Sequence, residues 1–106
     1  MSAYPRTDQI YPPTFFRRFT SLGTALVLHA DASNGGSAPT DVNYLPCLLI
    51  VEATATDVLQ VTDVTGTVSA ITFDATGTFE LRLAPVSIGG ASTNVNAVTV
   101  CWTQAT

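Results

Sequence analysis

The sequence predicts an all-β fold: a small antiparallel β-sandwich or barrel of about six strands, jelly-roll-like, with an extended N-terminal arm. Turn-forming residues recur about every ten residues, which is the spacing of short strands in sandwiches and barrels. No segment has the apolar periodicity of an amphipathic helix. Threonine and valine are abundant, and their branched Cβ atoms favour strands. At 106 residues, the chain has the length of one domain.

The predicted strands differ in how clearly apolar and polar residues alternate. The first strand places Leu22, Thr24, Leu26 and Leu28 on one face. The second is almost continuously apolar, so we expect it to be buried on both faces. The fifth has the clearest period of two residues. The predicted strands are Leu22–Ala30, Leu45–Glu52, Asp57–Asp63, Thr67–Phe73, Thr78–Ala84 and Ala97–Thr103.

The apolar sides of these strands supply the predicted core. Two segments rich in glycine and small polar residues, Asp31–Asn43 and Ser87–Asn96, are predicted to be loops because such residues form turns. Trp102 is predicted to be an anchor in the core or in an interface. The core candidates are Leu49, Val51, Val58, Val61, Ile71, Phe73, Phe79, Leu81, Leu83, Val98 and Val100.

The first twenty residues form the predicted arm, 1–20, and the sandwich domain is predicted over 21–106. The arm mixes aromatic residues and prolines with neither helical nor strand periodicity. The prolines at 12 and 13 bias the preceding residues to extended conformations. An isolated extended segment cannot bury its own rings, so they must pack on the domain or on a neighbour. The predicted anchors are Tyr4, Tyr11, Phe15, Phe16 and Phe19.

The charges are few and unevenly placed. The net charge is −4, which argues against nucleic-acid binding. The arm has three arginines against Asp8, whereas the rest of the chain has one arginine against seven acidic residues. We therefore expect Arg17 and Arg18 to meet an acidic protein surface, although arginines in a tail can also be without a role. No apolar run approaches the roughly 20 residues that span a bilayer.

The candidate chemical groups do not form a recognisable catalytic or metal-binding motif. His29 is the sole histidine, and only Asp31 accompanies it, so we predict a strand-end histidine and no catalytic residue. Cys47 and Cys101 lack the spacing of a zinc site. We predict reduced thiols, with a disulfide as the alternative if the first body strand pairs with the last. The turn aspartates Asp57, Asp63 and Asp74 lack the spacing of a calcium loop.

From Leu45 to Trp102 the sequence elements follow a recognisable order. An apolar strand, CLLIVEA, is followed by DVLQVTD, TVSAITF and GTFELRLAPV, then by the loop SIGGASTNVN and the terminal element AVTVCW. This order resembles small virion proteins of tailed bacteriophages and gene transfer agents, most closely the head-spike base family. The resemblance covers just over half of the chain.

The resemblance implies a structural role without enzymatic activity, cofactor or metal. A family member forms a symmetric homo-oligomer, a pentamer or trimer, on the exterior of a capsid, assembled in the bacterial cytoplasm. The implied partners are further copies of the chain, the major capsid protein and a spike or fibre protein, with no nucleic acid and no membrane. Three alternatives stay open: a decoration or cement protein spread over the shell, a carbohydrate-binding adhesion module using Trp102 and Tyr44, and a small hydrolase using His29.

Overall fold

The computed structural model describes residues 15–28 and 44–104, which form eight strands and no helix. Two antiparallel sheets of four strands each enclose the core. Sheet I has the order β1-β8-β3-β6, and sheet II has the order β2-β7-β4-β5. The strands are β1 (Phe15–Phe19), β2 (Leu26–Val27), β3 (Tyr44–Ala53), β4 (Val58–Thr62), β5 (Val68–Thr72), β6 (Gly77–Leu81), β7 (Ser87–Ile88) and β8 (Ala97–Gln104).

The strand pairs are nested. β1 pairs with β8, β2 with β7, β3 with β6, and β4 with β5. The chain is therefore one long antiparallel hairpin that is folded over into two sheets, with the β4–β5 turn at its tip. Eight strands rolled up in this way form a jelly roll. The predicted all-β sandwich is confirmed.

Two strands lie where the sequence predicts none. β1 falls in the predicted arm, and the two-residue β7 falls in a predicted loop. The sequence FFRRF of β1 does not alternate between apolar and polar residues, because each face of the strand carries both phenylalanine and arginine. The described part of the first predicted strand, residues 22–28 of Leu22–Ala30, contains only the short β2, although Leu22 and Leu28 are buried as its pattern predicts.

The core matches most of the predicted apolar positions. Leu83 was predicted to be in the core but is 38% exposed, because β6 ends at Leu81 and the chain leaves the sheet towards Pro85. Val58 is half-buried, while its neighbour Leu59 is fully buried. The largest fully buried side chains are Trp102, Leu28, Leu49, Leu59, Ile88, Val51, Val98 and Val100.

The Gly89–Gly90 pair ties the β7–β8 loop to two other segments. The Gly89 N–H donates to the Gln60 carbonyl at 2.9 Å, and the Gly90 N–H donates to the Leu22 carbonyl at 2.9 Å. Gly89 has φ +91°, and a Cβ atom there would lie 2.8 Å from the Leu22 carbonyl oxygen. A side chain at this position would therefore meet rigid backbone in a strained conformation.

We expect Gly89→Ala to lower the free energy of unfolding by about 1–3 kcal/mol, because it adds both backbone strain and a close contact. Gly23→Ala is the matched control, since a Cβ atom there meets nothing within 4 Å. Its effect should stay within about 0.5 kcal/mol. Urea unfolding followed by Trp102 fluorescence measures both variants. Equal stabilities for the two would contradict this account of Gly89.

Candidate functional site

The last residues of the predicted arm form β1, an edge strand of sheet I. β1 lies antiparallel to β8, with Phe15 opposite Trp102 and Phe19 opposite Val98. The sequence places these residues outside the sandwich domain, whereas the structure joins them to its sheet. Two other predicted anchors, Tyr4 and Tyr11, lie outside the described residues, as do His29 and Asp31.

Phe15 and Phe19 hold β1 against its own domain. The Phe15 ring stands edge-on to Trp102, with ring centroids 5.2 Å apart and planes at 85°. It also meets Tyr44 edge-on at 6.4 Å. Phe19 is half-buried and packs against the core. Edge-to-face pairs add about 0.5–1.5 kcal/mol beyond area burial, so these aromatic anchors stabilise the fold of the chain itself.

Phe16 lies on the opposite side of β1 and is 61% exposed. Alternation along a strand places it on the outer face of sheet I, the face turned away from the core. There it is opposite Cys101 of β8, and Cys101 is in turn opposite Leu48 of β3. We call these three side chains the apolar row. The row begins on β1, which directly follows residues 1–14 in the sequence.

The two arginines of β1 both have partners within the domain. The Arg18 guanidinium donates from Nε and Nη2 to the two carboxylate oxygens of Glu52, each at 3.0 Å. Arg17 lies 4.4 Å from the centre of the Phe15 ring and donates to the Phe16 carbonyl at 2.9 Å. The role of both arginines at an external acidic surface stays a prediction.

The ion pair with Arg18 shifts the titration of Glu52. The hydrogen bonds from Arg18 hold the pKa of the Glu52 carboxyl below its usual value, and they raise the pKa of Arg18. A carboxyl group with a depressed folded pKa stabilises the fold above its unfolded pKa. That stabilisation is lost as the pH falls through the folded value.

We expect Glu52→Gln to lower the melting temperature slightly at neutral pH, because it removes one charge of an exposed pair. The difference from the unsubstituted chain should be present above the ordinary pKa of a glutamate and disappear as the pH falls through the lowered pKa of Glu52. Glu80→Gln is the control, since Glu80 of β6 also lies on the outer face and takes no part in this pair. A difference independent of pH would contradict the assigned role of the charge.

The two cysteines are free thiols in neighbouring strands. β3 has a bulge between Pro46 and Leu48, where Cys47 lies. The Cys47 Sγ–H donates to the Cys101 carbonyl at 3.4 Å. Burial raises the pKa of both thiols, which keeps them protonated at neutral pH. The two cysteines are free, as predicted, although their strands β3 and β8 are paired.

We expect both thiols to react slowly with a disulfide reagent such as DTNB in the folded protein, because the thiolate is the reactive form. Unfolding in guanidinium should release two reactive thiols per chain. Cys47→Ser leaves only Cys101 and gives the reference signal for one thiol per chain. Absence of reaction in denaturant would show a disulfide, and rapid reaction before unfolding would contradict the burial of the thiols.

An apolar groove of about 260 Å³ lies at the end of the sandwich where the β4–β5 turn is found. Val64 at this turn is 85% exposed. The lining has no acid, base or nucleophile, so it offers apolar contact and no catalytic group. The lining residues are Leu45, Pro46, Val64, Ala84, Pro85 and Val86.

Asp57 and Asp63 accept hydrogen bonds within their own turns. Asp63 Oδ1 accepts hydrogen bonds from the backbone N–H groups of Thr65 at 2.9 Å and Thr67 at 3.1 Å. Asp57 Oδ2 accepts one from the Thr54 N–H at 2.9 Å. Within residues 15–28 and 44–104, no group of three or more His, Cys, Asp or Glu residues is placed to hold a metal ion. In the same ranges, no helix is long and apolar enough to cross a membrane.

Trp102 is completely buried, which removes this ring from the aromatic platform considered for a carbohydrate-binding module. A sugar stacks on an exposed ring face, and this ring is enclosed between the sheets. The interpretation of Trp102 as a core anchor is confirmed. The sugar-binding role considered for it is wrong.

Comparison with known proteins finds no matching family model, no matching curated protein and no matching solved structure.

Proposed function

We propose that the chain is a structural virion protein of a tailed phage or phage-like particle. It forms a symmetric homo-oligomer that attaches to the capsid through the arm. The order of sequence elements from Leu45 to Trp102, which resembles the head-spike base family, supports this role. The jelly roll is compatible with it, since viral capsid domains use that fold, but lectins and enzymes use it as well.

The observation that carries the proposal is that β1, the last part of the predicted arm, is a strand of sheet I. Phe15 and Phe19 fix β1 to the sandwich, while Phe16 is left 61% exposed on the outer face. Residues 1–14 directly precede β1 in the sequence and contain two further tyrosines. Fully extended, fourteen residues span at most roughly 50 Å, which is enough to reach across a neighbouring subunit.

The low surface charge is consistent with contact over much of the surface. The whole chain contains four basic residues and no lysine. Solubility normally requires more charge than this, unless neighbouring subunits cover part of the surface. Phe16 of the apolar row is an exposed apolar side chain that such a neighbour would cover.

The test is the protein content of particles purified from the organism that encodes the chain. Mass spectrometry should detect the chain in these particles, and its copy number separates two placements. A few copies per particle indicate a vertex or spike-base position, whereas copies at every local symmetry axis indicate a decoration protein. Absence of the chain from the particles would overturn the proposal.

We expect Phe16→Ser in the full chain to lower the number of copies bound per particle by about tenfold or more. It removes an exposed ring from the contact, and a factor of ten corresponds to about 1.4 kcal/mol. The fold should be retained because Phe16 lies outside the core. Val64→Ser is the control, since it also removes an exposed apolar side chain, at the far β4–β5 turn. Equal losses for both would contradict a specific role of β1.

A further inference from the structure

β5 is an unprotected edge strand. Within residues 15–28 and 44–104 it pairs with β4 alone, in continuous register from Val68 to Thr72. Its sequence, VSAIT, has no charge, proline or glycine, and every residue except Ile71 is exposed. Natural edge strands are normally shielded from pairing with other chains by charges, prolines or bulges. β5 has no charge, proline or bulge, so its open edge is suited to pairing with a further strand.

We propose that β5 pairs with β5 of a second copy of the chain, antiparallel and about a two-fold axis, so that the two copies of sheet II become one continuous sheet. A two-fold axis brings a strand together with its own copy, so charges on the strand meet like charges. β1 carries Arg17 and Arg18, and β6 carries Glu80. β2 has only two residues. Among the four edge strands described, β5 alone is both long enough and uncharged.

The hydrogen bonds that flank β5 fix which of its backbone groups are outward. The Phe73 N–H donates to the Asp57 carbonyl at 2.9 Å, and the Asp63 N–H donates to the Thr67 carbonyl at 3.0 Å. Residues 67 and 73 therefore direct these groups towards β4. Because bonding direction alternates along a strand, the N–H and C=O groups of Val68, Ala70 and Thr72 point to the open edge.

These outward groups determine the register of the pair. All five residues of both strands are matched only when Ala70 faces its own copy and Val68 faces Thr72 of the second copy. Ala70 then lies on the two-fold axis. Val68 is 55% exposed, and its pairing with a β-branched threonine adds apolar contact on the pleated surface.

A second copy of β5 fits this edge better than the arm of a neighbour. The arm carries prolines at 5, 12 and 13, and each proline lacks the N–H that a strand partner donates. β5 supplies every donor and acceptor that the opposing edge requires. Docking of the arm is the alternative outcome of the experiment. The inference goes beyond the proposed function and does not depend on it.

Charge complementation at Ala70 tests self-pairing directly. The full chain, Ala70→Lys and Ala70→Glu are compared by sedimentation velocity and light scattering at matched concentrations. We expect each variant alone to have half the mass of the unsubstituted chain, because like charges meet at the axis. An equimolar mixture of the two should regain the full mass. Variants that dissociate but do not recover on mixing would overturn self-pairing in favour of another occupant, such as the arm.

Ala70→Pro tests the backbone bonds. It removes an N–H that points to the open edge and leaves the bonds between β4 and β5 intact. We expect half the mass of the unsubstituted chain for Ala70→Pro, and unchanged mass for the control Ala70→Ser. Circular dichroism melting confirms that each variant is folded. Equal masses for the unsubstituted chain, Ala70→Pro and Ala70→Lys would overturn the proposal. These masses are measured in solution, so a negative result would not change the outcome expected for the mass spectrometry of particles.

Discussion

The enclosed indole of Trp102 is the contact on which the rest of the structure depends. It lies on β8, between β1 and β3 of sheet I, and is fully buried. Its Nε1–H donates to the Leu28 carbonyl at 2.6 Å, just after β2 of sheet II. Leu28 in turn donates its N–H to the Val86 carbonyl at 2.8 Å. One side chain therefore joins the two sheets. Without the indole, the buried Leu28 carbonyl would have no hydrogen-bond donor, which would cost about 1–3 kcal/mol.

The nested pairing ties β1 to the most distant strand of the body. The Trp102–Leu28 bond joins residues 74 positions apart, and β1 pairs with the last strand of the chain. β1 can therefore be placed only when β8 is in the sheet, and it then covers Trp102 with the Phe15 ring. Contacts between such distant residues form late and slowly in folding. β1, the last part of the predicted arm, is consequently a strand of the sandwich, while the division at residue 20 stays a prediction for residues 1–14.

The sequence predicted the strands whose environment is regular and missed those whose environment is set by distant residues. Thr78–Ala84 and Ala97–Thr103 closely match β6 and β8 because each alternates against one core. β1 was missed because its arginines are satisfied by the Phe15 ring and by Glu52, a residue 34 positions away. Aromatic anchors in the arm were predicted as a class, but only tertiary packing separates inward Phe15 from outward Phe16. The open edge of β5 follows from sheet order, which no local pattern contains.

Arg18 binds Glu52 of its own chain. We therefore expect the proposed assembly to depend on apolar and backbone contacts more than on charge. The ion pair of Arg18 with Glu52 neutralises half of the charge of β1, and an exposed ion pair of this kind contributes little to stability. Phe16, at 61% exposure, leaves roughly 120 Å² to be covered, or about 3 kcal/mol per copy before ordering costs. Repetition of a contact of this size around a closed oligomer multiplies its effect. Phe16 of the apolar row and the uncharged β5 edge are therefore the surfaces on which the proposed association would depend, and salt should weaken such contacts little.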